Sequence, residues 1–108
     1  MKYCLALDLN DDAEVIAEYE KWHQHVWPEV KTSILDSGIT QMEIYRTGNR
    51  LFMIMETLED FSFERKAEQD RNNPLVMEWE KLMWSYQKAL PWAKPAEKWV
   101  RMECIFKL

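Results

Sequence analysis

Five consecutive apolar residues, Leu51-Phe52-Met53-Ile54-Met55, lie between Arg50 and Glu56. The run is far too short to cross a membrane and has the length of a buried strand. An extended chain sends alternate side chains to opposite faces, so a strand apolar at every position needs cover on both. A chain of 108 residues has material for one domain and one modest core. We therefore read residues 1–108 as a single domain built around a sheet with this strand inside it.

The flanking segments supply the remaining elements. Tyr3–Leu9 alternates, with Tyr3, Leu5, Leu7 and Leu9 on one side and Cys4, Ala6 and Asp8 on the other. Asn10-Asp11-Asp12 offers a helix cap and an acidic first turn. Val15, Ile16, Tyr19 and His23 then recur on one helical face. Pro28 disfavours helix at Trp27 and suits the first turn of a new helix, so the chain should kink there. That second helix carries Val30, Ile34 and Leu35 and should stop at Gly38, a residue suited to the position after a helix end. Ile39–Arg46 and Leu51–Thr57 read as strands joined by the tight loop Thr47-Gly48-Asn49-Arg50. A charged helix over roughly Asp60–Asp70 is followed, after Asn72-Asn73-Pro74, by a longer one. Its apolar stripe is Trp79, Leu82, Met83, Tyr86 and Leu90. Two prolines make the stretch 90–98 an extended connection, and Val100–Leu108 is expected as a closing strand.

The order β-α-β-β-α-β matches the split βαβ, ferredoxin-like motif of the α+β class. Its helices cover one sheet face only. The expected cover for the other face is a second copy of the sheet, giving a two-fold homodimer with the pocket between sheet and cover.

Composition excludes several functions. A net charge of −5 argues against a nucleic-acid partner. Two glycines cannot make a glycine-rich phosphate loop. No segment suits a membrane span, and the amino terminus turns acidic too quickly for a secretory signal, so a cytoplasmic protein is expected. Cys4 and Cys104 lie in the first and last apolar segments. They read as reduced, buried thiols before a bridge.

The densest chemistry is in residues 18–30, Glu-Tyr-Glu-Lys-Trp-His-Gln-His-Val-Trp-Pro-Glu-Val. Tyr19 and His23 are neighbours one helical turn apart, and an imidazole titrates near neutrality. The pair could carry proton chemistry, or His23 could be a satisfied boundary histidine. His23 and His25, two apart on a helix, cannot close on one metal ion, and no further ligands lie nearby in sequence. Trp79, Met83 and Tyr86 at helical spacing read first as core, although Trp27 and Trp79 could also wall a site. Arg101 and Glu103 read as solvated ions.

Tyr19-x3-His23-x3-Trp27-Pro28-Glu29 resembles the signature of the L-rhamnose mutarotase family, small cofactor-free enzymes of dimeric α/β-barrel architecture. The likeness continues through Ser37–Tyr45, Asn49–Thr57 and Glu78–Met83 and spans essentially the whole chain. It implies an isomerase that interconverts the α and β anomers of L-rhamnose or a related 6-deoxy hexose, a small-molecule sugar, with no metal. By resemblance His23 would be the proton donor, and Tyr19 and Trp79 would bind substrate. Trp27 and Tyr45 join that substrate-binding set. Two positions depart from the family: Met42 stands where a substrate-binding tyrosine is common, and Glu80 where a second tryptophan sits. Both would retune sugar contacts and spare the acid. A cofactor-free monooxygenase of the same architecture and a non-catalytic sugar-binding module are the alternative readings.

Overall fold

The computed structural model describes all 108 residues. The alternation of the first segment makes β1, Lys2–Leu9, whose Leu5, Leu7 and Leu9 are buried. Asp12 ends the strand connection by capping α1, Ala13–Trp22. Its carboxylate accepts from the Glu14 amide at 2.9 Å and the Val15 amide at 3.3 Å. His23 is the C-terminal cap of that helix. Pro28 opens α2, Pro28–Asp36, after Trp27 takes the extended backbone that a following proline enforces. Gly38, at φ +98°, turns the chain out of α2 in the left-handed region that glycine occupies without penalty.

β2, Ile39–Thr47, and β3, Arg50–Thr57, form the expected hairpin, with Gly48 at φ +55° in its turn. Ser62 caps α3, Phe63–Arg71, and Asn73 caps α4, Pro74–Trp84. β4, Gln87–Lys88, and β5, Val100–Arg101, both pair with β1. The sheet order is β2-β3-β1-β4, antiparallel throughout, with the four helices across one face. This is the ferredoxin-like α+β arrangement.

Two elements differ from the sequence expectation. The last helix ends at Trp84 rather than running to Leu90, because Gln87 and Lys88 leave it to pair with Leu9 and Asp8. The closing strand is the two residues Val100 and Arg101, followed by one further bond from the Met102 amide to the Cys4 carbonyl at 2.8 Å. Its register sets Val100 opposite Ala6 and Arg101 opposite Leu5. Continued at that register, the chain outruns the start of β1, so Ile105, Phe106 and Leu108 are exposed. Cys104 is exposed as well, not buried, and both cysteines are free.

β4 and β5 are one edge strand interrupted by residues 89–99. The helix-side face of the sheet carries Leu5, Leu7 and Leu9 with Leu51, Met53 and Met55. The opposite face presents Cys4 and Ala6 beside Ile54 and Phe52, all part-buried, with Arg50 bonded to Asp8 at 2.8 and 3.2 Å at one end. Leu51–Met55 is thus apolar on both sides, as its sequence demands.

Candidate active site

The more enclosed of two adjoining cavities, about 400 Å³, lies between the sheet and its own helices. It is on the helix side of the sheet, opposite to the outer face where the sequence led us to expect a pocket. The helices do not close tightly over the strands bearing Leu5, Met42, Met53 and Met55, and those side chains form the cavity floor. A more open hollow of about 490 Å³ adjoins it and shares His23, Ile34 and Met42. Both volumes are within the range of small-molecule sites.

Tyr19 and His23 meet on the cavity wall, their rings 4.4 Å apart between centroids. The Tyr19 carbonyl lies 2.8 Å from His23 Nδ1. A carbonyl only accepts, so Nδ1 carries a proton in either charge state, and Nε2 is the nitrogen left to exchange one. The Tyr19 hydroxyl accepts from Gln87 Nε2 at 3.1 Å, deep in the protein. Burial pushes this phenol up to about 12; the Gln87 bond opposes the rise and the Glu80 charge adds to it. Tyr19 is consequently a neutral hydroxyl at physiological pH, with its own proton free to donate.

Trp79 is buried, lines the cavity and sits edge-on to His23, with ring centroids 5.9 Å apart. Beside it on α4, Glu80 has Oε2 held by Lys98 Nζ at 3.1 Å, while Oε1 has no bonded partner. Lys98 also sits 5.1 Å above the Trp84 ring, which ties residues 89–99 to α4. The arrangement offers a tautomer-fixed imidazole, a neutral phenol, a carboxylate and an aromatic wall around one small space. That set suits acid–base chemistry on a neutral, hydroxyl-bearing ligand.

The comparisons with known proteins agree. The family model described as L-rhamnose mutarotase matches residues 2–108. The chain belongs to the L-rhamnose mutarotase family. An L-fucose mutarotase from Xanthomonas campestris pv. campestris is 48% identical over 109 residues, covering 99% of this chain and 87% of that protein. An L-rhamnose mutarotase from Phocaeicola vulgatus is 34% identical over 71 residues, covering 64% of this chain and 61% of the relative. The crystal structure of an L-rhamnose mutarotase from Formosa agariphila shares the fold at TM-score 0.73 and 21% identity, over 100% of this chain and 98% of that one. Members of this family interconvert sugar anomers.

Within this mutarotase-family fold the seven residues singled out from sequence separate. Tyr19, His23, Met42, Trp79 and Glu80 all face the cavity. Trp27 stands behind Trp79, 5.2 Å away between ring centroids, and is not part of the lining. Tyr45 is on the other face of the sheet, 53% exposed and bonded to Glu43. The cause is a bulge between Ile39 and Gln41. One extra residue there turns Met42 and Ile44 inward and sends Tyr45 outward. The cavity also contains polar residues that the sequence reading did not single out as site residues: Ser33, Lys66, Asp70, Gln87 and Arg101. Lys66 and Asp70 were legible as an i,i+4 pair, but such pairs are ordinary on solvated helices. Gln87 carries no local signal.

Proposed function

We propose that this chain, as one domain of residues 1–108, interconverts the α and β anomers of L-fucose, L-rhamnose or a closely related 6-deoxy hexose. The observation that carries the reading is the double use of Tyr19. Its carbonyl fixes the His23 tautomer, and its hydroxyl, held by Gln87, faces the same cavity. Mutarotation needs a proton delivered to the ring oxygen and another removed from the anomeric hydroxyl. His23 as imidazolium donates from Nε2 to the ring oxygen, the C1–O5 bond breaks, and the neutral ring keeps its Nδ1 proton on the Tyr19 carbonyl. The anomeric proton leaves to a base facing the cavity, a role we give to the unbonded Oε1 of Glu80, the carboxylate next to Trp79 on α4. The aldehyde turns about C1–C2, and reclosure on the other face returns both protons.

Tyr19 donates to a sugar hydroxyl, Trp79 covers an apolar face of the ring, and Met42 abuts the 6-methyl group. The sheet face bearing Phe52 and Ile54 pairs with a second copy to give a homodimer. Two free cysteines, one of them exposed, suit the reducing cytoplasm. Saturation-transfer NMR of anomer exchange, with L-fucose, L-rhamnose and a control hexose, tests the activity. Exchange no faster than buffer for all of them would remove this reading.

A further inference from the structure

The proton chemistry leaves one end of the cavity unused, and strand register fixes where that end is. Gln87, which holds Tyr19, is opposite Leu9, whereas Arg101 is opposite Leu5. Four residues of β1 separate the two, about 13 Å at the rise of an extended chain. At the Leu5 end the Arg101 guanidinium lies 4.5 Å over the Phe63 ring. One turn further along α3, Lys66 Nζ bonds Asp70 Oδ2 at 2.6 Å, with both side chains largely buried. The other carboxylate oxygen, Asp70 Oδ1, is enclosed and has no hydrogen-bond partner. The same is true of Ser33 Oγ on α2, a residue 5% exposed that shares a shallow groove with Gln69 and Asn73 on either side of Asp70. Asp70, Ser33 and Lys66 all line the same enclosed cavity as Tyr19 and His23.

Enclosed oxygens without partners are costly, and a ligand that supplies donors recovers that cost. Lys66 already neutralises Asp70, so the pair does not need a cation; its unpartnered oxygen is an acceptor for an uncharged O–H. A pyranose with its anomeric carbon at His23 directs its C4 side away from the Tyr19 and Gln87 end. We propose that Asp70, oriented by Lys66 and flanked by Ser33, reads the C4 hydroxyl of the bound sugar and is a specificity-determining residue of the site. This assignment rests on the mutarotase reading above.

Three sugars isolate the effect. L-Fucose and 6-deoxy-L-glucose differ only in configuration at C4, whereas 6-deoxy-L-glucose and L-rhamnose differ only at C2. Anomer-exchange kcat/KM is measured for each with wild type, Asp70→Asn and Ser33→Ala, and circular dichroism checks the fold. The wild-type preference between the C4 epimers should collapse towards parity by about tenfold in Asp70→Asn, mainly through KM. The preference between the C2 epimers should stay within about twofold. Ser33→Ala should move the same C4 ratio by about threefold and decides the matter if Asp70→Asn does not fold. A wild type that does not discriminate at C4, or folded variants whose C4 ratio equals that of wild type, overturns the proposal while leaving the mutarotase reading intact. A wild type inert on all three sugars removes both.

Discussion

The carbonyl of Tyr19 and the Nδ1 of His23, 2.8 Å apart, are one helical turn apart at the end of α1. That bond spends the first nitrogen of the imidazole on the backbone and reserves Nε2 for substrate. His23→Asn can keep a polar contact with the carbonyl but has no ring nitrogen that can take up and release a proton. Its kcat for anomer exchange should fall roughly 10²–10⁴-fold with the fold intact. Full exchange rates in His23→Asn, read by saturation-transfer NMR, would assign the acid elsewhere.

Tyr19 makes a stability prediction with a definite sign. Its phenol is pushed up to about 12 by burial in the folded protein, against 10.0 ordinarily. Between those values the unfolded chain has lost the phenolic proton and the folded chain retains it. The stabilisation is complete below pH 10 and is lost as pH rises towards 12, at about 1.4 kcal/mol per pH unit. Urea denaturation between pH 9 and 12 should show wild type losing stability more steeply than Tyr19→Phe. Parallel curves would mean that Tyr19 ionises freely in the folded state. The exchange rate should show no limb from Tyr19 near neutrality.

What was legible in the sequence followed local rules. The Asp12 cap, the Trp27-Pro28 break and the Gly38 exit are short-range backbone effects, and the structure holds all three. Tyr19 and His23 share a wall because spacing on one helix dictates it. Tyr45 could not be placed, since the bulge after Ile39 arises from pairing with β3 and inverts which residues face in. Gln87 was illegible for a related reason: a two-residue strand exists only through its partner β1. Lys66 and Asp70 looked like a solvated pair because charge pattern on a helix does not reveal what the helix covers.

The outer sheet face gives a test of assembly. Phe52 and Ile54 sit there part-buried, opposite Ala6 and Cys4, with Glu56 and the Arg50–Asp8 pair at the margins. An apolar centre within a charged rim is what a self-complementary interface requires. Sedimentation equilibrium should give twice the chain mass for wild type and the single mass for Ile54→Lys, because a lysine at the centre would be buried against its own copy. A wild type that is monomeric at all concentrations would refute the pairing.

Glu80 separates base catalysis from simple sugar contact. Lys98 occupies its Oε2, its Oε1 is open, and its charge raises the Tyr19 phenol across the same cavity. If that open oxygen takes the anomeric proton, Glu80→Gln removes the base while preserving size and hydrogen bonding. Its kcat should then drop by about tenfold or more with KM little altered. The Tyr19 phenol of the variant should also titrate lower, seen as earlier phenolate absorbance on raising pH. Lys98→Met keeps the carboxylate and should retain most of the rate. A Glu80→Gln enzyme changed only in KM would make the residue a sugar contact and leave removal of the anomeric proton to water or to His23 itself.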